Sequence, residues 1–469
     1  MIVLEEMSLP KWTQIYQQLK DQMVNTKQLP PGCKLPSSRQ LSITLSVSRN
    51  TVCSAYEQLY AEGYIERRPR QGFFVADFNI ETLAVKPPAL KKVISIPVVE
   101  EVAICCPYDF RPRRVDLKNF PFPLWNKLLC KAVNDYRHRF FAYGHPQGEL
   151  TLRTKITEFL SWYRGISCLP EQIVLCDGTQ QALTLICQLL HGNLSSMAIE
   201  DPGNYGARVV FQNCGFPVIP IPVEQDGVNV DHLRVSGAGA IYITPSRQFP
   251  SGVVMSVNKR AQLLDWADRN NAIIIEDDFN CYFRFNSRSI PALLGMCNSD
   301  RVIYIGSFAQ AVFPAARISY IVLPLPLLNK YSNMFQHYDS PVATLLQKTM
   351  ELFIDEGHFE RHLRKMNQIY KKKHDILMKA LQEKLGEYIT IKSSNAGLHV
   401  LITINDTISE QELIDRAELV GVRIGSIAKH YMNPPVSMKS TILLSFSWID
   451  QKDILPAVEL LKQAWIIGK

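Results

Sequence analysis

Residues 304–320 read YIGSFAQAVFPAARISY. An apolar run ends on Ser307, a short turn carries Gln310, and a lone Arg317 precedes a second apolar run. The first run closes RVIYIGS, the last of a series of β-rich segments, after IVLCD, SSMAIED, GAIYIT and AIIIEDD, that alternate with helical patterns. Such alternation predicts a mostly parallel α/β sheet with ligand sites outside the carboxyl ends of its strands. The residues that carry chemistry fall at those ends. DGTQQAL (177–183) sets Gly178, Thr179 and Gln180 at a helix N-terminus, where free backbone N–H groups and the helix dipole favour a phosphate. Asp277 follows AIIIE, and Arg317 follows the quoted turn. Each signal is weak alone: a Gly-Thr before a helix is more often a cap, and an Asp after an apolar strand is often a turn residue.

The 469 residues exceed what one core usually organises, so two or three domains are expected. With 46% hydrophobic and 20% charged residues the composition is that of a globular protein, neither disordered nor membrane-embedded. The first twelve residues hold Glu5 and Glu6 and no apolar core of a signal peptide. The most apolar long run, 311–328, is broken by Pro314, Arg317, Pro324 and Pro326 and reads as buried core. Eleven cysteines without a C-x-x-C pair suggest reduced thiols in a cytoplasmic setting and no metal site. The net charge of +7 is mild, and residues 1–76 carry nine Lys/Arg against six Asp/Glu, with three arginines in ERRPRQG.

That first stretch has its own period. Trp12, Ile15, Tyr16, Leu19 and Met23 predict an amphipathic helix stopped by LPPG (29–32). Ser37 with Gln40 has capping-box spacing, and Ser48 is the N-cap of a helix whose buried face is Val52, Ala55, Tyr56 and Leu59. Two helices joined at Leu45–Val47 make a helix-turn-helix, and strands 64–66 and 73–76 form a wing around Arg67–Gly72. In that geometry the second helix presents Ser48, Arg49, Asn50 and Thr51 to base edges of double-stranded DNA. Arg49 suits guanine and Asn50 adenine. Arg39 and the wing residues Arg67, Arg68, Arg70 and Gly72 reach phosphates or the minor groove. The bland alternative is a helix-turn-helix shape with solvated arginines; cap, turn, Arg-Asn-Thr and basic hairpin in that order weigh against it.

LPSSRQLSITLSVSRNTVCSAYEQLYAEGYIERRPRQGFFVA (35–76) resembles the winged helix-turn-helix of GntR-type bacterial regulators. Ser46 stands where that family usually has glycine; a positive φ there costs serine more. Residues 77–107, with scattered prolines and charges, read as an extended linker or as a linker containing one docked strand. From 108 to 469 the order YGHPQGELTLR, DGTQQAL, EDPG, TPSRQFPSG, EDDF, YIGSF, RISY, GLHVLI and ILLSF resembles a fold-type I pyridoxal 5'-phosphate (PLP)-dependent aminotransferase of class I/II, with a large α/β part at about 108–340 and a small C-terminal α+β part at about 341–469. The two together resemble MocR-type regulators, which implies a homodimer that binds operator DNA and senses PLP or its adducts with amino compounds.

The resemblance implies that Gly178, Thr179, Ser307 and Arg317 hold the phosphate, beside Gln180 at the same helix N-terminus, and that Asp277 pairs with the pyridine nitrogen. Its Schiff-base lysine falls on Gln310, whose amide cannot condense with an aldehyde. Phe279 and Asn204 each stand where the family has a tyrosine, leaving Tyr205 as a candidate for stacking on the ring. Arg247 replaces a common histidine, and Lys439, Ser440 and Thr441 stand where a carboxylate-binding arginine is frequent. A laboratory Lys-to-Gln change would account for Gln310 alone; several losses in one pocket favour a natural chain that has left catalysis. Lys330 and Lys371–Lys373 read as surface charge, and His399 as structural. The expected function is a sequence-specific transcriptional regulator without a catalytic residue, its cofactor non-covalent at most or absent. The alternatives are a PLP-dependent aminotransferase with an accessory DNA-binding head, and a body that only pairs two heads.

Overall fold

The computed structural model describes residues 2, 4, 9–78, 106–112, 114–192, 194–279, 281–285, 291–296, 299–392, 397–405, 408–435 and 439–467. The chain divides into two compact units, Met1–Glu100 and Glu101–Lys469. The linker expected at 77–107 falls almost wholly outside the described residues.

The first unit is built on three helices and a hairpin. Helix α1 (Lys11–Val24) buries Ile15, Leu19 and Met23. Trp12, expected on that face, is 38% exposed, and Gln14 is buried instead, its Nε2 donating to the Leu9 carbonyl at 2.7 Å. Helices α2 (Ser38–Thr44) and α3 (Arg49–Ala61) start on the expected caps: Ser37 accepts from the Gln40 N–H and Ser48 from the Thr51 N–H. Between them Ser46 takes φ 51°, so the family's glycine position does require the left-handed region. Strands β1 (Ile65–Arg68) and β2 (Gly72–Val75) pair antiparallel, Ile65 opposite Val75 and Arg68 opposite Gly72. Leu35, Leu41, Val52, Ala55, Tyr56, Leu59, Ile65 and Val75 close one core with the α1 residues.

The second unit opens on β3 (Tyr108–Asp109). Its large sheet uses β4 (Ile173–Cys176), β5 (Met197–Asp201), β6 (Val218–Glu224), β7 (Gly227–Val228), β8 (Ala240–Ile243), β9 (Ile273–Asp277), β10 (Val302–Ser307) and β11 (Ser319–Val322) in the spatial order β4-β11-β10-β9-β8-β5-β6-β7. Neighbours β10, β9, β8, β5 and β6 are parallel, and β11 and β7 run against theirs. The strands are buried along their length in β4, β5, β8, β9, β10 and β11, as a sheet covered on both faces demands. The quoted 304–320 stretch is the β10 to β11 connection, with Ser307 opposite Ser319 and Ser319 opposite Cys176. This register brings the end of β10 beside the start of the helix Gly178–Leu190.

The smaller part has β12 (Ile389–Lys392), β13 (His399–Ile404), β14 (Val422–Arg423), β15 (Gly425–Ser426) and β16 (Thr441–Ser445). Strands β12, β13, β16 and β15 form an antiparallel sheet in that order, and β14 pairs in parallel with β3. The helices His358–Leu385 and Gln451–Lys462 pack along each other beneath it. One expectation is corrected here: Lys373 is not surface charge. It is buried, with Nζ 2.7 Å from Asp116 Oδ2 and 2.8 Å from the Ser447 carbonyl, because it lies on the inner face of the long helix. Lys371 and Lys372 are exposed as expected.

Candidate functional site

In the head, the sequence places small polar residues where helix ends need them, and the exposed remainder is the chemistry. Ser48 is occupied as a cap, its Oγ 3.1 Å from the Thr51 N–H and 2.8 Å from Thr51 Oγ1. Arg39, Arg49, Asn50, Arg67, Arg68, Arg70 and Gly72 are exposed and Thr51 is half-buried. Arg49 Nε reaches Ser38 Oγ at 3.4 Å, a weak contact that joins the two helices without spending the rest of the guanidinium. Arg70 takes φ 62° and Gly72 φ 108°, which makes the wing a tight turn. Arg68 is held within the hairpin: it pairs with Glu66 at 2.5 Å and lies 4.4 Å over the Phe74 ring. That pair is solvent-exposed, and such pairs contribute little to stability.

In the body, the end of β4 leads through Asp177 into the helix Gly178–Leu190. Gly178 has φ +77°, and a Cβ there would meet Arg317 Nη2 at 2.2 Å. Only glycine lets the guanidinium lie across the first turn. Arg317, itself at φ 52°, donates from Nε to Asp177 Oδ1 and from Nη2 to the Asp177 carbonyl, both at 2.9 Å. Thr179 is half-buried, Ser307 is buried with its Oγ accepting from the Ala309 N–H at 3.3 Å, and Gln310 is half-buried. Gln180 points to solvent from the first turn; Gln181, which the sequence reading passed over, accepts from the Asp177 N–H at 3.2 Å. First-turn N–H groups, a guanidinium and a hydroxyl are the donor set of a phosphate cup.

The EDD run at the end of β9 assigns three adjacent carboxylates to three tasks. Glu276 accepts the Leu293 and Leu294 N–H groups at 2.7 and 3.0 Å. Asp278 pairs with Arg164 at 2.6 Å, both fully buried, and accepts the Tyr304 hydroxyl at 2.8 Å. Asp277 accepts the Tyr242 hydroxyl at 2.5 Å and the Phe279 N–H at 3.2 Å. Burial pushes Asp277 up to about 7, more than the Tyr242 hydrogen bond lowers it. A cationic pyridinium N–H placed against it would favour the ionised carboxylate.

Tyr242 is the partner of Asp277 that pattern reading did not find; its only sequence signal is one hydroxyl in an otherwise apolar buried strand. Asn204 Nδ2 reaches Tyr242 Oη at 3.1 Å while Asn204 Oδ1 caps the following helix through the Gly206 N–H. Tyr205 is 44% exposed, with the Arg208 guanidinium 5.0 Å over its ring. Phe279 has no hydroxyl and sets its ring edge against Phe249 at 5.9 Å. His399 is buried with Nε2 3.1 Å from the Pro250 carbonyl, and its burial and Arg247 push it down to about 3. Lys439, Ser440 and Thr441 supply no guanidinium; Ser440 and Thr441 are tied to the Ile408 and Lys439 carbonyls. Deeper in β16, Leu443 packs with Leu401 and Ile427 against Phe249.

The residues present fit the phosphate and ring nitrogen of PLP but not its covalent attachment. The cup at Gly178 and Arg317 offers donors, Asp277 offers a carboxylate, and Gln310 offers an amide. No helix among the described residues is long and apolar enough to cross a membrane, and no cluster of His, Cys, Asp and Glu among them could hold a metal ion.

Fold and site define a class: a winged helix-turn-helix reader joined to an aminotransferase-like α/β body. Residues 11–75 match the bacterial regulatory proteins of the gntR family, and residues 124–432 match aminotransferase class I and II. The chain is 36% identical over 462 residues to the uncharacterized HTH-type transcriptional regulator YdeL of Bacillus subtilis, covering 98% of each chain. It is 29% identical to the probable rhizopine catabolism regulatory protein MocR of Rhizobium meliloti, over 99% of this chain and 96% of that one. The body has the fold of the kynurenine aminotransferase of Pyrococcus horikoshii, with TM-score 0.68 and 24% identity over 76% of this chain and 90% of that one. The chain belongs to the MocR-type, GntR-headed transcriptional regulators, DNA-binding proteins with an aminotransferase-like domain.

Proposed function

We propose that this regulator acts as a cytoplasmic homodimer whose two heads read an operator and whose body holds a phosphorylated vitamin B6 form or its amino adduct without catalysing transamination. The observation that carries the reading is Gln310 on the turn between Ser307 and Arg317, and the contacts of Ser307, Arg317 and Asp277 support it. Bound PLP supplies an electrophilic aldehyde and an electron-withdrawing ring. Gln310 has no basic nitrogen to bond that aldehyde or to shuttle a proton. Arg317 and the first-turn N–H groups hold the phosphate, and Asp277, oriented by Tyr242, holds the ring nitrogen. In the head, Arg49 and Asn50 read bases while Arg39, Arg67, Arg68, Arg70 and the Gly72 turn fix the register on the duplex.

Calorimetry of the full chain with PLP and with pyridoxamine 5'-phosphate, followed by borohydride treatment and intact mass, tests the pocket. Reversible binding without covalent fixation is expected. A fixed phosphopyridoxyl adduct with turnover of amino groups would favour the enzyme reading, and binding of neither compound would favour a body that only pairs the heads. Footprinting on promoter fragments at low salt tests the head.

A further inference from the structure

Arg247 lies in the turn after β8 and is 3% exposed. Its Nη2 donates to the His399 carbonyl at 2.8 Å, while Nε and Nη1 have no hydrogen-bond partner among the described residues. Burial and the neighbouring Arg284 disfavour its charge, and no carboxylate among the described residues acts on it. A buried guanidinium with unused donors is costly unless something anionic completes it. Gly397 makes room for it: φ is +74° there, and a Cβ would meet Nη1 at 2.1 Å.

The surroundings connect this cation to the pocket. Phe249, two residues on, sets its ring against Phe279 and His399 at 5.9 and 5.5 Å, and the Phe279 N–H donates to Asp277. Leu401, Ile427 and Leu443 pack on the same Phe249, so the wall is apolar and water competes poorly for the donors. His399 is neutral at ordinary pH, and Arg284 is engaged through Nη2 with the Ser246 carbonyl at 3.1 Å. Beside a neutral imidazole, the two unfilled N–H groups of Arg247 call for an anionic acceptor such as a carboxylate.

We propose that Arg247 receives the carboxylate of an amino-acid-derived part of the effector, on the seam between β8 and β13. The proposal rests on the reading of the body as a phosphopyridoxyl-binding sensor. It assigns carboxylate recognition to the turn after β8 and not to Lys439–Thr441 leading into β16, which supplies no guanidinium.

The test compares N-(5'-phosphopyridoxyl)-L-leucine with its decarboxylated counterpart, N-(5'-phosphopyridoxyl)-3-methylbutylamine, by calorimetry on the full chain. Pyridoxamine 5'-phosphate serves as the control for an intact pocket. The parent chain is expected to prefer the carboxylated compound by about tenfold or more, as for a hydrogen-bonded charge. Arg247→Gln and Arg247→His should lose that preference while binding pyridoxamine 5'-phosphate as the parent does, and Arg247→Lys should keep part of it. Equal affinity of the parent for the two compounds, or an undiminished preference in both Arg247→Gln and Arg247→His, overturns the assignment and leaves the sensor reading standing. Failure of the parent to bind any of the three compounds overturns the sensor reading and this inference with it.

Discussion

Asp277 and Gln310 show how differently single residues speak. In the proposed pocket Gln310→Lys supplies an amine between Ser307 and Arg317, so that variant is expected to acquire PLP that borohydride fixes to residue 310, read by intact mass and peptide mapping. Gly178→Ala should abolish binding of PLP, because its Cβ meets the Arg317 guanidinium at 2.2 Å and its φ is +77°; calorimetry on the full chain reads this loss. Asp277 also makes stability depend on pH. Its carboxyl titrates near 7 when folded, above the ordinary value of 3.8, so the folded chain binds more protons between these values and stability falls as pH rises. The contribution is fully present below the unfolded value and lost above about 7. Glu200, whose burial pushes it to about 7, adds in the same sense. Asp277→Asn should make the slope of unfolding free energy against pH shallower by up to about 1.4 kcal/mol per pH unit at its steepest, measured by denaturant titration of the body's transition. Asp277, Gly178 and Arg317 were legible because each ends or follows a recognisable segment. The Asp277–Tyr242 and Arg317–Asp177 contacts were not, since they join positions 35 and 140 residues apart and depend on strand order.

Among the elements, the reading helix was legible almost to the residue. Capping chemistry is local: Ser37 and Ser48 each serve the backbone three residues ahead, and the period of Val52, Ala55, Tyr56 and Leu59 fixes the buried face. Trp12 misled because its place at the first turn of α1 leaves it at the edge of the core, where Gln14 closes the helix start instead. Lys373 misled because a lysine run looks solvated until the Asp116 partner, far off in sequence, is placed beside it. Ser48→Ala should destabilise the start of α3 by about 1 kcal/mol, the usual cost of losing a cap. Hydrogen exchange should show faster amides at Asn50–Val52 with the body unchanged. Arg49→Ala should lower discrimination at one base pair by about 1–3 kcal/mol, whereas Arg70→Ala should weaken all sequences alike. Footprints on a set of single-base operator variants separate the two. If Arg49→Ala keeps the parent's ranking of those variants, the base-reading role belongs to another residue.

For the whole molecule, charge sets a limit on what one head can do. Nine cations against six anions in residues 1–76 give only +3, so phosphate neutralisation by a single head is modest and its binding should be weak at physiological salt. In the proposed homodimer, affinity comes from two heads joined through the body, where binding of the first raises the effective concentration of the second. Two winged helices that dock on one face of a duplex require half-sites separated by about 34 Å, one helical turn of about 10 base pairs, or a multiple of it. Inserting about 5 base pairs between half-sites turns the second site to the opposite face, and inserting about 10 returns it. The expected result is a loss of at least tenfold in affinity for the first insertion and recovery for the second, with a steeper salt dependence where both heads engage, measured by gel shift across ionic strength. Equal binding to all three spacings would mean that the heads engage DNA independently, and the body would then contribute nothing to affinity by pairing them.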